Sequence, residues 1–294
     1  MIADILCEAG LLQLKFKQVE VADKCFSEAL RIRQHILDGH HEKIGECMML
    51  NGDILQVKQE YDQAIDMFTE ALGIFEMTCG PKSLLAAESC YRLGVAYKSS
   101  NRLDKAQDFL EKCLATRVSV LGHESLEVSR VNRDLGSVHF TSGNYSRAEE
   151  LFRDSVETMV KKLGEDHMEV ADTVLLLGQT CTKLNSPDEA LMYFEQARLT
   201  KQQHCGDSSL EVAEIGLEIG RAHVAKREFE ESLECFQSYL RARRAAVGDD
   251  EVVSDVLYEI GNAEYEIRHL DAALTNLASA LALYRVLLGD EHLR

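Results

Sequence analysis

The chain has 294 residues, of which 46% are hydrophobic and 28% charged, a balance typical of folded proteins and not of disordered ones. Its 32 basic and 50 acidic residues give a formal net charge of -18, which disfavours nucleic acid and anionic membranes as partners. Only 2 prolines are present and helix-forming residues are abundant, so the composition predicts an all-α protein.

Two further features predict a cytoplasmic chain that does not insert into a membrane. No apolar run approaches the roughly 18 residues that span a bilayer, and the N-terminal residues lack the pattern of a cleaved signal peptide. The 9 cysteines are scattered without a Cys-x-x-Cys pair, as expected for packing residues in a reducing compartment.

A repeat with seven members runs through the chain. Seven glycines within predicted helices are spaced by 42 residues, except for a last interval of 41. Twelve residues after each glycine stands a small residue and four further on a large apolar one, such as Ala64 and Phe68 after Gly52. The small and large residues share one face of a helix, so each repeat predicts two closely packed helices. The seven glycines are Gly10, Gly52, Gly94, Gly136, Gly178, Gly220 and Gly261.

The repeats divide the chain into helical hairpins. A second set of glycines, such as Gly80 and Gly122, ends the later repeats, as expected where a helix finishes in a left-handed residue. The first helix of each hairpin should take about 14 residues and the second about 17. A single array is predicted over residues 1–294, with residues 290–294 starting a further repeat and hairpins at 1–38, 41–80, 83–122, 125–164, 167–206, 209–248 and 250–289.

The third repeat shows the residue pattern clearly, at Leu93, Gly94, Tyr97, Leu103, Ala106 and Leu110. This pattern resembles the tetratricopeptide repeat. The period of 42 residues, with Leu-Gly at the end of the second helix, is similar to the repeats of kinesin light chains and nephrocystin-3. The resemblance covers essentially the whole chain. It implies a right-handed α-solenoid of seven hairpins, a concave groove lined by the first helices, and a role in binding proteins or peptides.

Two features are departures, one from the kinesin light chain pattern and one from the other repeats of this chain. In that family, paired asparagines before the Leu-Gly of the first helix help to bind cargo, and none of the corresponding pairs here is Asn-Asn. Recognition of cargo in that manner is therefore not expected, although a groove of different specificity remains open. Pro187 stands where Tyr61 and Tyr145 stand in other repeats, which predicts an altered turn inside the fifth hairpin.

Motifs for catalysis, cofactors and metals are missing from the sequence. It has no glycine-rich phosphate loop, no helical His-x-x-x-His and no cysteine pair that would complete a metal site. The segments 164–169 and 289–294 place carboxylates beside a histidine, but both fall between repeats, where turn formation and helix capping explain them. We therefore expect a protein that is not an enzyme and has no cofactor or metal.

Five positions of each first helix should face the groove. They stand six and three residues before the repeat glycine and one, four and five residues after it. In the middle repeats these positions are relatively basic, which suggests a cationic groove for an acidic peptide, with aromatic residues adding apolar contact. The predicted partner-binding residues are Tyr91, Lys98, Arg130, Arg133, Ser137, Phe140, Gln179, Lys183 and Arg221.

The alternative is that these charges neutralise one another on the surface. Carboxylates stand near the same rim, in the first turns of the first helices, where they also favour the helix dipole. They are Glu46, Glu88, Asp172, Glu214 and Asp255.

Two other roles remain open. The array could regulate or sense within a larger signalling or motor-associated protein. It could also be a structural element that associates with itself through apolar ends. Met1 aligns with Lys43 in the repeat, without an obvious helix cap, and residues 289–294 resemble the start of another repeat. We therefore expect either further repeats or self-association to cover the ends of the array.

Overall fold

The computed structural model describes residues 1–207 and 209–288, which form fourteen α-helices and no strand. The odd-numbered helices have 14 to 17 residues and the even-numbered ones 18 or 19. The helices are α1 (Ile2–Lys15), α2 (Val19–Ile36), α3 (Glu42–Val57), α4 (Tyr61–Thr78), α5 (Leu84–Ser99), α6 (Leu103–Leu121), α7 (Leu126–Thr141), α8 (Tyr145–Leu163), α9 (Met168–Lys183), α10 (Pro187–Cys205), α11 (Leu210–Lys226), α12 (Phe229–Ala246), α13 (Glu251–Glu266) and α14 (Leu270–Leu288).

Two compact units divide the chain, the first from Met1 to Leu151 and the second from Phe152 onward. In the first unit, α1 packs on α2, α3 on α4 and α5 on α6, and each hairpin also contacts the next through α2 and α3, α4 and α5, and α6 and α7. In the second unit, the same contacts join α9 to α10 and continue through α14. The predicted all-α class of stacked helical hairpins is therefore confirmed.

The repeat glycine and the large residue sixteen positions later meet inside the hairpin. Phe68 is fully buried, and a methyl group on Gly52 would lie only 2.4 Å from Cε1 of its ring. Leu110 occupies the same position opposite Gly94, 2.6 Å from such a methyl group. Only a hydrogen atom fits between helix and side chain here. The regular spacing in the sequence thus reflects a steric requirement of each hairpin.

A left-handed residue forms the turn inside each hairpin, seven positions after the repeat glycine. Six of these seven residues are not glycine, as with Gln59 at φ 63°. The next N–H turns back to the end of the first helix, and that of Glu60 donates to the carbonyl of Leu55 at 2.8 Å. This is the hydrogen bond of a Schellman motif, which satisfies a free carbonyl at the helix end.

The fifth hairpin keeps the same turn, so the alteration predicted from Pro187 is wrong. Asn185 is left-handed at φ 60°, and the N–H of Ser186 donates to the carbonyl of Cys181 at 2.9 Å. Pro187 is the first residue of α10. At that position proline costs little, because the N–H it lacks would have no partner inside the helix.

The histidine of segment 164–169 acts as a helix cap, as predicted. Nδ1 of His167 accepts a hydrogen bond from the N–H of Glu169 at 3.1 Å, at the start of α9. The second such segment, 289–294, lies outside the described residues.

The buried cysteines pack in the core as thiols. Cys7 and Cys47 lie in one apolar cluster with their sulfur atoms 3.7 Å apart. Burial, together with the neighbouring Cys7 sulfur, raises the pKa of Cys47 to about 12, so its thiol stays protonated at neutral pH. Such a thiol behaves as a small apolar residue.

One helix among the described residues, α14, is long and apolar enough to cross a membrane by length and composition alone. Its window Leu270–Leu287 has a mean hydropathy of 1.2, and 11% of the window is buried. Asp271 and Arg285 interrupt the window, so a search for uninterrupted apolar runs does not detect it. The absence of membrane insertion stays a prediction.

Candidate partner-binding surface

Six of the nine predicted site residues lie on two neighbouring helices of the first unit, α5 and α7, which contact each other. We call this set the α5–α7 surface. It comprises Tyr91, Lys98, Arg130, Arg133, Ser137 and Phe140. The other three residues belong to the second unit, Gln179 and Lys183 on α9 and Arg221 on α11.

Asp134 lies at the centre of the α5–α7 surface, although its sequence position did not mark it. Its carboxylate accepts hydrogen bonds from the Tyr91 hydroxyl and from Nζ of Lys98, both at 2.6 Å. Nη2 of Arg133 lies 3.9 Å away. The Asp134 side chain is only 10% exposed, and a charge so buried is costly without partners. Burial and the charge of Asp134 raise the pKa of Tyr91, so the hydroxyl stays protonated and donates.

The remaining members of this surface are partly engaged. The Ser137 hydroxyl donates to the carbonyl of Arg133 at 3.0 Å, on its own helix. The ring of Phe140 packs edge-on against Tyr145, with ring centroids 5.4 Å apart, and stays half-buried. Arg130 is also half-buried. A partner would therefore meet the faces of side chains already fixed by their neighbours.

A hollow of about 470 Å³ adjoins Tyr91, between α3 and α5. Its lining includes the apolar side chains of Val57 and Val95. Arg92 lies at the edge, paired with Asp53 and with Glu88 on its own helix, the latter at 2.9 Å. The hollow is large enough for one apolar side chain of a partner. At its rim, the positive charge of Arg92 is compensated by the carboxylates of Asp53 and Glu88.

In the second unit, Arg221 is likewise held by carboxylates. Its Nη2 lies 2.8 Å from Oε1 of Glu259 and its Nη1 lies 3.1 Å from Oε1 of Glu218. Lys183 is exposed on α9. Gln179 lines a hollow of about 380 Å³ between α9 and α11. The first helices of the second unit thus carry both a cation paired with carboxylates, Arg221, and an exposed cation, Lys183.

The rim carboxylates that weighed against a cationic groove have partners from the second helices. Nη1 of Arg33 lies 3.3 Å from Glu46, and Nζ of Lys201 lies 2.6 Å from Asp172. Arg33 and Lys201 occupy the same repeat position, twenty-three residues after the glycine. Cations stand at four of the seven occurrences of this position, a signal that sequence reasoning missed. The seven residues are Arg33, Phe75, Arg117, Met159, Lys201, Arg243 and Tyr284.

His139, on the buried side of α7, gives a pH dependence that can be measured. Burial and the nearby charge of Arg147 lower its pKa, outweighing the opposite effect of Glu111. Below the unfolded value of about 6.5, the unfolded chain therefore binds a proton that the folded chain resists. We expect the free energy of unfolding to fall as the pH drops from 7 to 5. The decrease should be smaller in His139→Gln, and equal decreases in both proteins would contradict the assignment.

Family models agree with this architecture. Models of the tetratricopeptide repeat match residues 46–117, 102–159, 127–198 and 253–294, more than half of the chain. The chain therefore belongs to the tetratricopeptide-repeat family. None of the curated proteins compared with the chain matches it.

Solved structures share the fold at low sequence identity. A Podosopora anserina protein with kinesin light chain repeats is 17% identical, over 70% of this chain and 98% of that one, with a TM-score of 0.62. The resemblance to kinesin light chain repeats is thus confirmed.

A gene regulator and a signal transduction ATPase share the fold as well. The Rap conjugation gene regulator of plasmid pLS20, in complex with the Phr* peptide, is 17% identical over 95% of this chain and 73% of that one, with a TM-score of 0.58. A signal transduction ATPase of Pyrococcus horikoshii with a tetratricopeptide repeat sensor is 14% identical over 95% of this chain and 41% of that one, with a TM-score of 0.75. At these identities the likeness shows the fold alone.

Proposed function

We propose that the chain is a non-catalytic scaffold whose α5–α7 surface binds an extended, acidic segment of a protein partner. The observation that carries this proposal is the cluster of Lys98, Arg133 and Tyr91 around the single carboxylate of Asp134. Membership of the tetratricopeptide-repeat family and the peptide complex of the Rap regulator support a peptide as the class of ligand.

The positive charges around Asp134 exceed its single negative charge, so this cluster attracts a second carboxylate. Lys98 and Arg133 together carry two positive charges, and Asp134 supplies one negative charge. An ammonium has three donors and a guanidinium five, so both side chains keep donors after binding Asp134. An acidic side chain of the partner would accept hydrogen bonds from both, while a neighbouring apolar side chain would enter the hollow beside Val57 and Val95.

Labelled nine-residue peptides test the proposal. Three designs keep the same apolar residues and carry Glu, Gln or Lys at the remaining positions, and their affinities are measured by fluorescence anisotropy. We expect the Glu peptide to bind best, and its affinity to fall as salt rises. Arg130→Glu with Arg133→Glu should weaken binding of the Glu peptide by about tenfold or more.

Two variants control this result. Lys105→Glu with Lys112→Glu makes the same change of charge on exposed residues of α6, and binding should stay close to the original. Asp134→Asn removes the competing carboxylate, and affinity for the Glu peptide should rise severalfold. Equal binding of the three peptides, or an equal loss in both double variants, would contradict an acidic ligand at this surface.

A second candidate is a regulatory or sensor region within a larger signalling protein. It is favoured by the likeness to the ATPase sensor, in which the matching part is 41% of the chain. An antibody raised against this chain should then detect a natural protein well above 33.0 kDa, whereas a scaffold on its own would migrate near that mass.

A further inference from the structure

The outer face of α1 carries apolar residues at positions that are buried in every other hairpin. These positions stand eight and five residues before the repeat glycine and two after it. In α1 they hold Ile2, Ile5 and Leu12, which are 66%, 59% and 55% exposed. We call these three residues the α1 stripe.

In the six later hairpins the same positions are at most 6% exposed. Their residues are Ile44, Cys47, Ile54, Ala86, Ser89, Ala96, Val128, Val131, Val138, Val170, Thr173, Thr180, Val212, Ile215, Ala222, Val253, Val256 and Ala263. The helices that carry these residues in α3, α5, α7, α11 and α13 pack on the second helix of the preceding hairpin. Two of the residues also meet the preceding first helix, Cys47 at Cys7 and Ser89 at Met49. The α1 stripe is therefore one half of a hairpin-stacking interface.

The outer face of α14 carries the other half. In α12, Leu233 and Leu240 pack half-buried in one cluster with Val256 of the following helix, α13. The equivalent residues of α14 are Leu274 and Leu281, which are 70% and 42% exposed. We call these two residues the α14 stripe.

We propose that the α14 stripe of one copy packs on the α1 stripe of a second copy, joining chains head to tail. The occupant follows from the stacking interface between the sixth and seventh hairpins, where residues at these same repeat positions, Leu233 and Leu240 on α12 and Val256 on α13, already lie in one apolar cluster. The joint between copies continues that interface with matching apolar residues. Such a contact uses two different surfaces, so it builds chains or rings of several copies and not only pairs.

Salt distinguishes this association from peptide binding. Each copy carries a formal charge of -18, so copies repel one another at low ionic strength. Added salt screens this repulsion and leaves burial of the apolar stripes in place. Self-association should therefore strengthen with salt, whereas binding of an acidic peptide should weaken.

Sedimentation velocity on paired variants tests the proposal. Ile5→Glu with Leu12→Glu removes the α1 stripe, and Leu274→Glu with Leu281→Glu removes the α14 stripe. Wild type should exceed 33.0 kDa increasingly as concentration rises, whereas each variant alone should stay at that mass. A mixture of the two variants retains one intact joint, so it should form complexes of two chains and nothing larger.

A matched control changes two exposed apolar residues at the same spacing on α10. Met192→Glu with Leu199→Glu should associate like wild type, since both side chains lie outside the stripes. Circular dichroism checks that all variants are folded. A wild-type chain that stays monomeric at every concentration would overturn the proposal, as would association of either stripe variant alone.

Phosphatidylcholine vesicles provide a further outcome. A monomeric chain that binds them, and loses this binding in the α14 stripe variant, would assign that stripe to lipid and would also overturn head-to-tail joining.

Discussion

Replacing Gly220 by alanine should lower the free energy of unfolding by about 1–2 kcal/mol, because overpacking outweighs the gain in helix propensity. A methyl group at Gly220 would lie 2.6 Å from Cε1 of Phe236 and 3.1 Å from Cβ of Cys235. Phe236 is fully buried, so a shift of its ring would displace the residues packed around it. The two helices of the sixth hairpin would have to separate.

Gly216, in the same helix, provides the matched control. A methyl group there would have no neighbour within 4 Å, so Gly216→Ala should raise the free energy of unfolding by about 0.5–1 kcal/mol. Urea unfolding gives both values, and hydrogen exchange in α11 and α12 shows whether the effect is local. Stabilisation of both variants would show that propensity, and not the contact with Phe236, controls this helix.

Replacing Lys201 by glutamate should destabilise the second unit by about 3 kcal/mol, since it places a third negative charge where two are now compensated. Nζ of Lys201 lies 2.6 Å from Asp172 and 2.9 Å from Glu211, and the residue is buried. Both carboxylates are about half exposed, so Lys201→Met should cost much less, about 1 kcal/mol. Met159 already occupies this position in another repeat. Equal losses in the two variants would exclude charge as the cause.

The pH profile gives a second measure of the same contact. Burial lowers the pKa of Lys201, but hydrogen bonds to Asp172 and Glu211 outweigh it and leave the pKa above its ordinary value. The contribution to stability is therefore complete below about pH 10.4 and is lost as the pH rises through the folded pKa. Unfolding measured from pH 9 to 11.5 should show a smaller decrease in Lys201→Met than in wild type.

The hairpins could be predicted from the sequence because their packing restricts side-chain volume. The position of Gly52 has no space for a side chain and that of Phe68 requires a large apolar one, so the restriction on volume appears in the sequence as a period of 42 residues. The turns were harder to predict, since Gln59 and Arg227 adopt a left-handed conformation usually associated with glycine. The hydrogen bonds of the Schellman motif hold them there, and those bonds are not visible in residue types.

The candidate site was predictable only as a set of positions. Spacing from the glycines placed Lys98 and Arg133 on neighbouring helices that do contact each other. It did not select Asp134, because a residue two positions before the glycine was not counted among the groove positions. Which cation meets which carboxylate depends on the offset between adjacent helices. That offset is a property of stacking and is not written in any one repeat.

The cation position of the second helices also limits how such an array can be rearranged. Arg33 and Lys201 bind acidic first helices, whereas the fourth hairpin carries Arg130 where the other hairpins have an acid. A copy of the fourth hairpin placed after the first would set Arg130 beside Arg33, where Glu46 now lies. Moving that hairpin therefore requires a compensating change in its new neighbour, and its place in the order of the array is part of the information that the chain encodes.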